Sequence, residues 1–233
     1  MLSALLWGAV AASSLLIGAL AGVAHTWNGR LVGWVLGFGA GALVSSISFE
    51  LAEEGFRVGG AVAVSVGLAL GAVTFFVADR AVDRIGGGGP TTGWPLLLGA
   101  LLDGIPEQAV LGIGIAGGGA VSPALLLAIF VSNLPESIGS ATDMRAAGRP
   151  AKRIMAGWGA VALLCVAATA AGYQLQEFAG DQMRGGIDGF AAGALLVMLV
   201  GSMIPEATEK ARESAGLAAV LGFALAAGLS LSS

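Results

Sequence analysis

Charge is what this sequence has least of. Only 11% of its 233 residues are Asp, Glu, Lys or Arg, against roughly 25% in soluble domains, while 56% are hydrophobic. That balance excludes a globular core wrapped in a solvated shell. There is one cysteine, Cys165, inside the run "VALLCVAATAAG", which excludes a disulfide framework and any multi-thiolate metal site. The net charge is −4 and the basic residues are scattered, so nothing points to nucleic acid. The single histidine, His25, sits at the end of the first apolar run and reads as an interfacial residue. The amino terminus, "MLSALLWGAV", has neither a positive n-region nor an evident cleavage site, and is read as a first span rather than a signal.

What the chain has instead is apolar runs. A membrane helix needs about 20 apolar residues, and such runs fall near 2–24, 31–52, 58–78, 94–116, 122–144, 154–176, 187–205 and 215–232. The loops are short, and the longest, "DRAVDRIGGGGPTTG", is a glycine-rich linker. The expectation is one all-α integral membrane domain over 1–233, with eight transmembrane helices in the lipid bilayer. Basic residues test the count, because they collect in cytoplasmic loops. Arg30, Arg80, Arg84, Arg145, Arg149, Lys152, Arg153, Lys210 and Arg212 follow spans one, three, five and seven; only Arg57 and Arg184 lie opposite. Both termini are then extracytoplasmic, in a multi-pass protein of the cell membrane.

Residues 37–54, "GFGAGALVSSISFELAEE", align without a gap with 189–206, "GFAAGALLVMLVGSMIPE". By the topology above these stretches run in opposite directions. Spans 1–3 and 6–8 are thus expected to form an inverted repeat around a central pair, spans 4 and 5. Secondary transporters are commonly built this way, with substrate sites near the midplane. The small residues Gly33, Gly37 and Gly41, and Gly185, Gly189 and Gly193, read as close-packing faces, within the chain or in a homodimer.

Polar residues interrupt the two central spans. "DGIPEQ" (103–108) and "SNLPES" (132–137) each set a polar residue ahead of Pro-Glu at mid-span. The spans are antiparallel neighbours, which brings Glu107 and Glu136 to one depth. A lone carboxylate there is costly, and two together repel unless a proton or a cation intervenes. Asp103 shares a helical face with Glu107, and Ser132 and Asn133 lie one turn before Glu136. Pro106 and Pro135 have no N–H, so the carbonyls of Leu102 and Val131 lose their helical partners. Carboxylates and freed carbonyls are oxygen ligands. Asp103, Glu107, Ser132, Asn133 and Glu136 together describe an all-oxygen cation site; protonated carboxyls joining two helices are the plainer alternative.

The stripe Ser132, Glu136, Ser140 and Asp143 reads as an exit path. Glu50, Glu53 and Glu54 at one mouth, and Glu206 and Glu209 at the other, read as interfacial charge or as cation-attracting vestibules. Two other function classes fit less well. A proton-coupled carrier of a small organic solute would use the same carboxylates as relays. It wants an aromatic or Arg-lined pocket, yet aromatics are 6% and no Arg or Lys lies at mid-span. An intramembrane hydrolase needs two aspartates, or Ser with His or Lys, at one depth; no enzymatic activity is expected.

At these residues the sequence resembles the ZIP (Zrt-, Irt-like) family of divalent-metal transporters. The family's fourth-span signature, His-Asn-x-Pro-Glu-Gly, is met here by Asp103-Gly104-Ile105-Pro106-Glu107-Gln108, and its fifth-span motif by Ser132-Asn133-Leu134-Pro135-Glu136. The resemblance implies eight spans, both termini outside, and a metal site made by the fourth and fifth. The ion is then a transported substrate rather than a cofactor: Zn²⁺, or another such as Mn²⁺, Fe²⁺ or Cd²⁺. The chain departs from the family at Asp103 and Gly104, and it lacks both loop histidines and a sixth-span acid. Carboxylate in place of imidazole moves the site from zinc's preferred donors toward harder ions such as Mn²⁺ or Mg²⁺.

Overall fold

The computed structural model describes residues 1–86, 94–117 and 121–232, with the side chains of 83, 85, 86, 94–100, 103 and 232 outside that description. All regular structure among the described residues is helical: α1 (Leu2–Ala24), α2 (Gly29–Ser46), α3 (Glu53–Gly86), α4 (Trp94–Ala116), α5 (Pro123–Ala146), α6 (Ala151–Glu177), α7 (Asp181–Met198), α8 (Ile204–Ala211) and α9 (Ser214–Ser232). Helix α2 passes into α3 through a π-helical turn, Ile47–Ala52, and α7 into α8 through another, Leu199–Met203. Local chemistry sets the starts. Asn28 caps α2 by accepting from the Arg30 N–H, and Ser122 caps α5 with Pro123 at its first position.

Among the described residues, six helical stretches are long and apolar enough to cross a membrane. The chain is a multi-pass membrane protein. One stretch, Gly29–Val82, has 54 residues, more than twice what a bilayer requires. It is interrupted at Gly60, where φ 78° and ψ 167° leave the helix. The break thus falls beyond the charged segment Glu53–Arg57, which is itself helical. Helix α7 likewise begins at Asp181, ahead of its apolar run, because its polar first turns are helical without being hydrophobic. The outer faces suit lipid: Val62, Val66, Leu70, Val73 and Val77 form a stripe on α3, each more than half exposed.

Small residues govern the packing. Helix α3 lies along α7, α2 along α9, α4 along α6, and α1 along α5. A Cβ on Gly41 would collide with the Ala219 carbonyl, and one on Gly193 with that of Leu68. All six glycines of the two stripes are buried against such partners inside the chain. A homodimer through those faces would have no exposed glycine to use.

The displacement that aligns Gly37 with Gly189 also carries α2 onto α7 from end to end, and the first π turn onto the second. It carries the contact of Gly33 with Ala211 onto that of Gly185 with Gly59. Gly60 falls on Arg212, the non-glycine residue of positive φ (53°) among those described. Contacts also give directions. Helices α2 and α5 are antiparallel, since Gly39 touches Ser132 while Glu50 accepts from Ser122 Oγ at 2.6 Å. Helices α4 and α6 run parallel, with Gly104 at Cys165 and Gly112 at Tyr173.

Candidate functional site

Helices α4 and α5 both continue through an internal proline, Pro106 and Pro135. Each proline removes the donor that would have engaged the carbonyl four residues earlier. One residue past Pro106, Glu107 is 1% exposed; Ser132 and Asn133 are fully buried. Ser132 Oγ lies 2.9 Å from Glu107 Oε1 and 3.0 Å from the Ile129 carbonyl. With one proton it donates to one of them at a time. This contact sets the register of the central pair: the Pro-Glu of α4 meets the polar dipeptide of α5. Both amide atoms of Asn133 are buried without a hydrogen-bond partner among the described residues.

Glu136 lies one turn beyond Ser132 and is partly buried. Glu107 and Glu136 are both near enough to the Cys165 thiol on α6 to act on it electrostatically. Of the five expected residues, Glu107 and Ser132 are in contact, Asn133 is the buried residue after Ser132 in the chain, and Glu136 lies one turn further along α5. The Asp103 side chain lies outside the described structure. Among the described residues no three His, Cys, Asp or Glu side chains gather as a metal cage. The hydroxyl, amide and freed carbonyl oxygens here are donors that suit harder ions.

Two neighbours carry no signal that the motif reading used. Gln108 is fully buried and its Oε1 accepts from Thr169 Oγ1 at 2.7 Å. A Cβ on Gly104 would stand 2.9 Å from Cys165 Sγ, so glycine at 104 leaves room for the thiol. The spacing of Cys165, Thr169 and Gly172 on one helical face was the available hint. The α5 stripe passes from buried Ser132 through partly buried Glu136 and Ser140 to exposed Asp143. Glu206 reaches toward the same stripe, 3.9 Å from where a Cβ on Gly139 would be, and pairs with Lys210 at 3.4 Å.

At the other end of α2 a cavity of about 530 Å³ is lined by Glu50, Glu54, Ser122, Gln176, Arg184 and Asp188, among others. Two of the three acids expected at this mouth, Glu50 and Glu54, line it, while Glu53 is exposed. Glu50 Oε1 accepts from Ser122 at 2.6 Å and Ser230 at 2.7 Å. Asp188, 2% exposed, lies 3.4 Å from Gln176 Nε2. In the sequence Asp188 looks like an ordinary helical partner of Arg184, four residues earlier. No protein-family model matches the chain, and no curated protein matches it.

Proposed function

We propose that the chain is a divalent-cation transporter of the ZIP kind, carrying ions into the cytoplasm through an oxygen-rich site between α4 and α5. One observation carries this reading: Glu107, wholly buried halfway along a proline-bearing membrane helix, meets Ser132 halfway along the next. A carboxylate at that depth needs a proton or a cation. Asn133, Glu136 and the freed carbonyls of Leu102 and Val131 supply further oxygens for a dehydrated ion, with Asp103 one turn away. The oxygens favour Mn²⁺ or Fe²⁺, and the nearby Cys165 thiol admits the softer Zn²⁺ and Cd²⁺.

The architecture this function calls for has eight crossings, obtained by dividing Gly29–Val82 at Gly60 and counting α4. Its support is the pattern of directions. Helices of like parity run parallel (α4 with α6), and α2 and α5, of unlike parity, run antiparallel. The matched π turns of α2 and α7 support the repeat. Gly55, in the first turn of α3, lies against Asp188 in the first half of α7, as inversion requires. Basic asymmetry then sets both termini outside.

Cation uptake into proteoliposomes tests the function. Glu107→Gln and Glu136→Gln should each lower uptake at least ~10-fold, by analogy with the loss of metal-site contacts, while the protein still inserts and purifies. Undiminished uptake in both variants would refute the proposal.

A further inference from the structure

A half-open cavity of about 940 Å³ lies where α2 begins, α8 ends and α9 begins, lined by Arg30, Lys210, Arg212, Glu213, Ser214 and Leu217. It holds three cations and one acid. Lys210 is paired with Glu206, but neither arginine has an ion-pair partner among the described residues. The amino ends of α2 and α9 add partial positive charge at the same mouth, against the partial negative carboxyl end of the short α8.

The backbone at Arg212 makes this more than a solvated basic turn. Its φ of 53° and ψ of −144° belong to glycine territory. The internal repeat supplies the comparison. The equivalent bend is at Gly60, where an added Cβ would meet nothing within 4 Å. Conformation, not crowding, therefore selects glycine there. The second copy of the bend carries arginine instead, although its neighbours Ala211 and Glu213 have negative φ and could have held the arginine without backbone strain. Strain of this kind persists where the side chain's position matters, and it clusters at ligand sites.

The cavity's surroundings identify the ligand's other half. Leu217, Val220 and Leu221 continue from it along α9 and are 64%, 66% and 58% exposed. A basic pocket opening onto a lipid-facing apolar stripe matches a molecule with a phosphate at one end and acyl chains at the other. We propose that this cavity seats an anionic phospholipid, its phosphate between Arg30 and Arg212 and its chains along α9. Guanidinium suits the phosphate because it can bind two oxygens at once.

The test uses the full-length protein in a neutral detergent, with dioleoyl phosphatidylglycerol, dioleoyl phosphatidylcholine or inorganic phosphate added, and thermal unfolding as the readout. Phosphatidylglycerol should raise the midpoint by about 2–4 °C, and the other two additives should not. Arg212→Gly should be more stable than the parent without lipid, because the bend is relieved, yet should lose the phosphatidylglycerol increment. Arg30→Gln should also lose it, and Arg57→Gln, beyond the opposite end of the helix that begins at Gly29, should keep it. The proposal falls if Arg212→Gly or Arg30→Gln retains the increment, or if Arg57→Gln loses it equally. It falls too if phosphatidylcholine or phosphate alone matches phosphatidylglycerol, or if Arg212→Gly gains no stability without lipid. No metal enters the readout, so the outcome is independent of the transport reading.

Discussion

Writing asparagine into position 104 should damage this protein, and deleting a thiol should repair it. A Cβ at that position lies 2.9 Å from Cys165 Sγ, well inside the 3.5–4.0 Å or so of a relaxed contact. Gly104 and Cys165 are both buried, and α4 and α6 are held together by further glycine contacts at Gly112 and Gly172, so neither helix can easily retreat. Overpacking of this kind costs about 1–3 kcal/mol. In a chain of this size each kcal/mol is worth roughly 2–4 °C in unfolding midpoint. Gly104→Asn should therefore melt several degrees below the parent. Cys165→Ala alone loses a little core volume, on the order of 1 kcal/mol. The double variant should be more stable than the sum of the two, with a coupling of at least about 1 kcal/mol. Thermal unfolding of the four proteins in one detergent measures this. Strict additivity, or a Gly104→Asn protein as stable as the parent, would refute the α4–α6 register and, with it, the location of the thiol beside Glu107.

Three further outcomes follow from the same packing. Ser132→Ala removes the hydroxyl facing Glu107, a bond to a charged group worth about 1.5–3 kcal/mol, so the uptake KM should rise roughly ten- to a hundredfold; an unchanged KM would take Ser132 out of the site. Gly41→Val and Gly193→Val, equivalent in the repeat, should both abolish the yield of monodisperse protein, and normal yield from either would contradict the pairing of α2 with α9 or of α3 with α7. A cysteine placed beside Arg149 should react with an impermeant thiol reagent only after permeabilisation, on a Cys165→Ser background first shown to transport; labelling in intact cells would reverse the topology.

Much of this was legible in the sequence because membrane helices advertise themselves by length. The apolar runs located the long helices; the two Pro-Glu motifs pointed to Glu107 meeting Glu136, and the contact the structure gives Glu107 is with Ser132, one turn earlier. The ends were less legible. Glu53, Glu54 and Arg57 look like a loop to hydropathy, but the backbone stays helical through them and bends only at Gly60. The role of α6 was hidden for another reason. Its fit on α4 depends on Gly104, Gly112 and Gly172, and in a chain with 39 glycines such positions do not stand out. Counting thiols said nothing of where the one thiol sits. Asp188 escaped notice because its burial is produced by α3 and α6, not by its own helix.

The central claim is that a divalent cation binds where α4 meets α5, and anomalous scattering tests it most directly. Crystals of the full-length protein soaked in Mn²⁺, with diffraction data collected at the manganese edge, should give a peak within coordination distance of Glu107 and Glu136, about 2.0–2.6 Å for oxygen ligands, with Ser132 or Asn133 beside it. That peak should vanish in Glu107→Gln. A map with no peak between the two helices, or one unchanged by the substitution, would contradict the account.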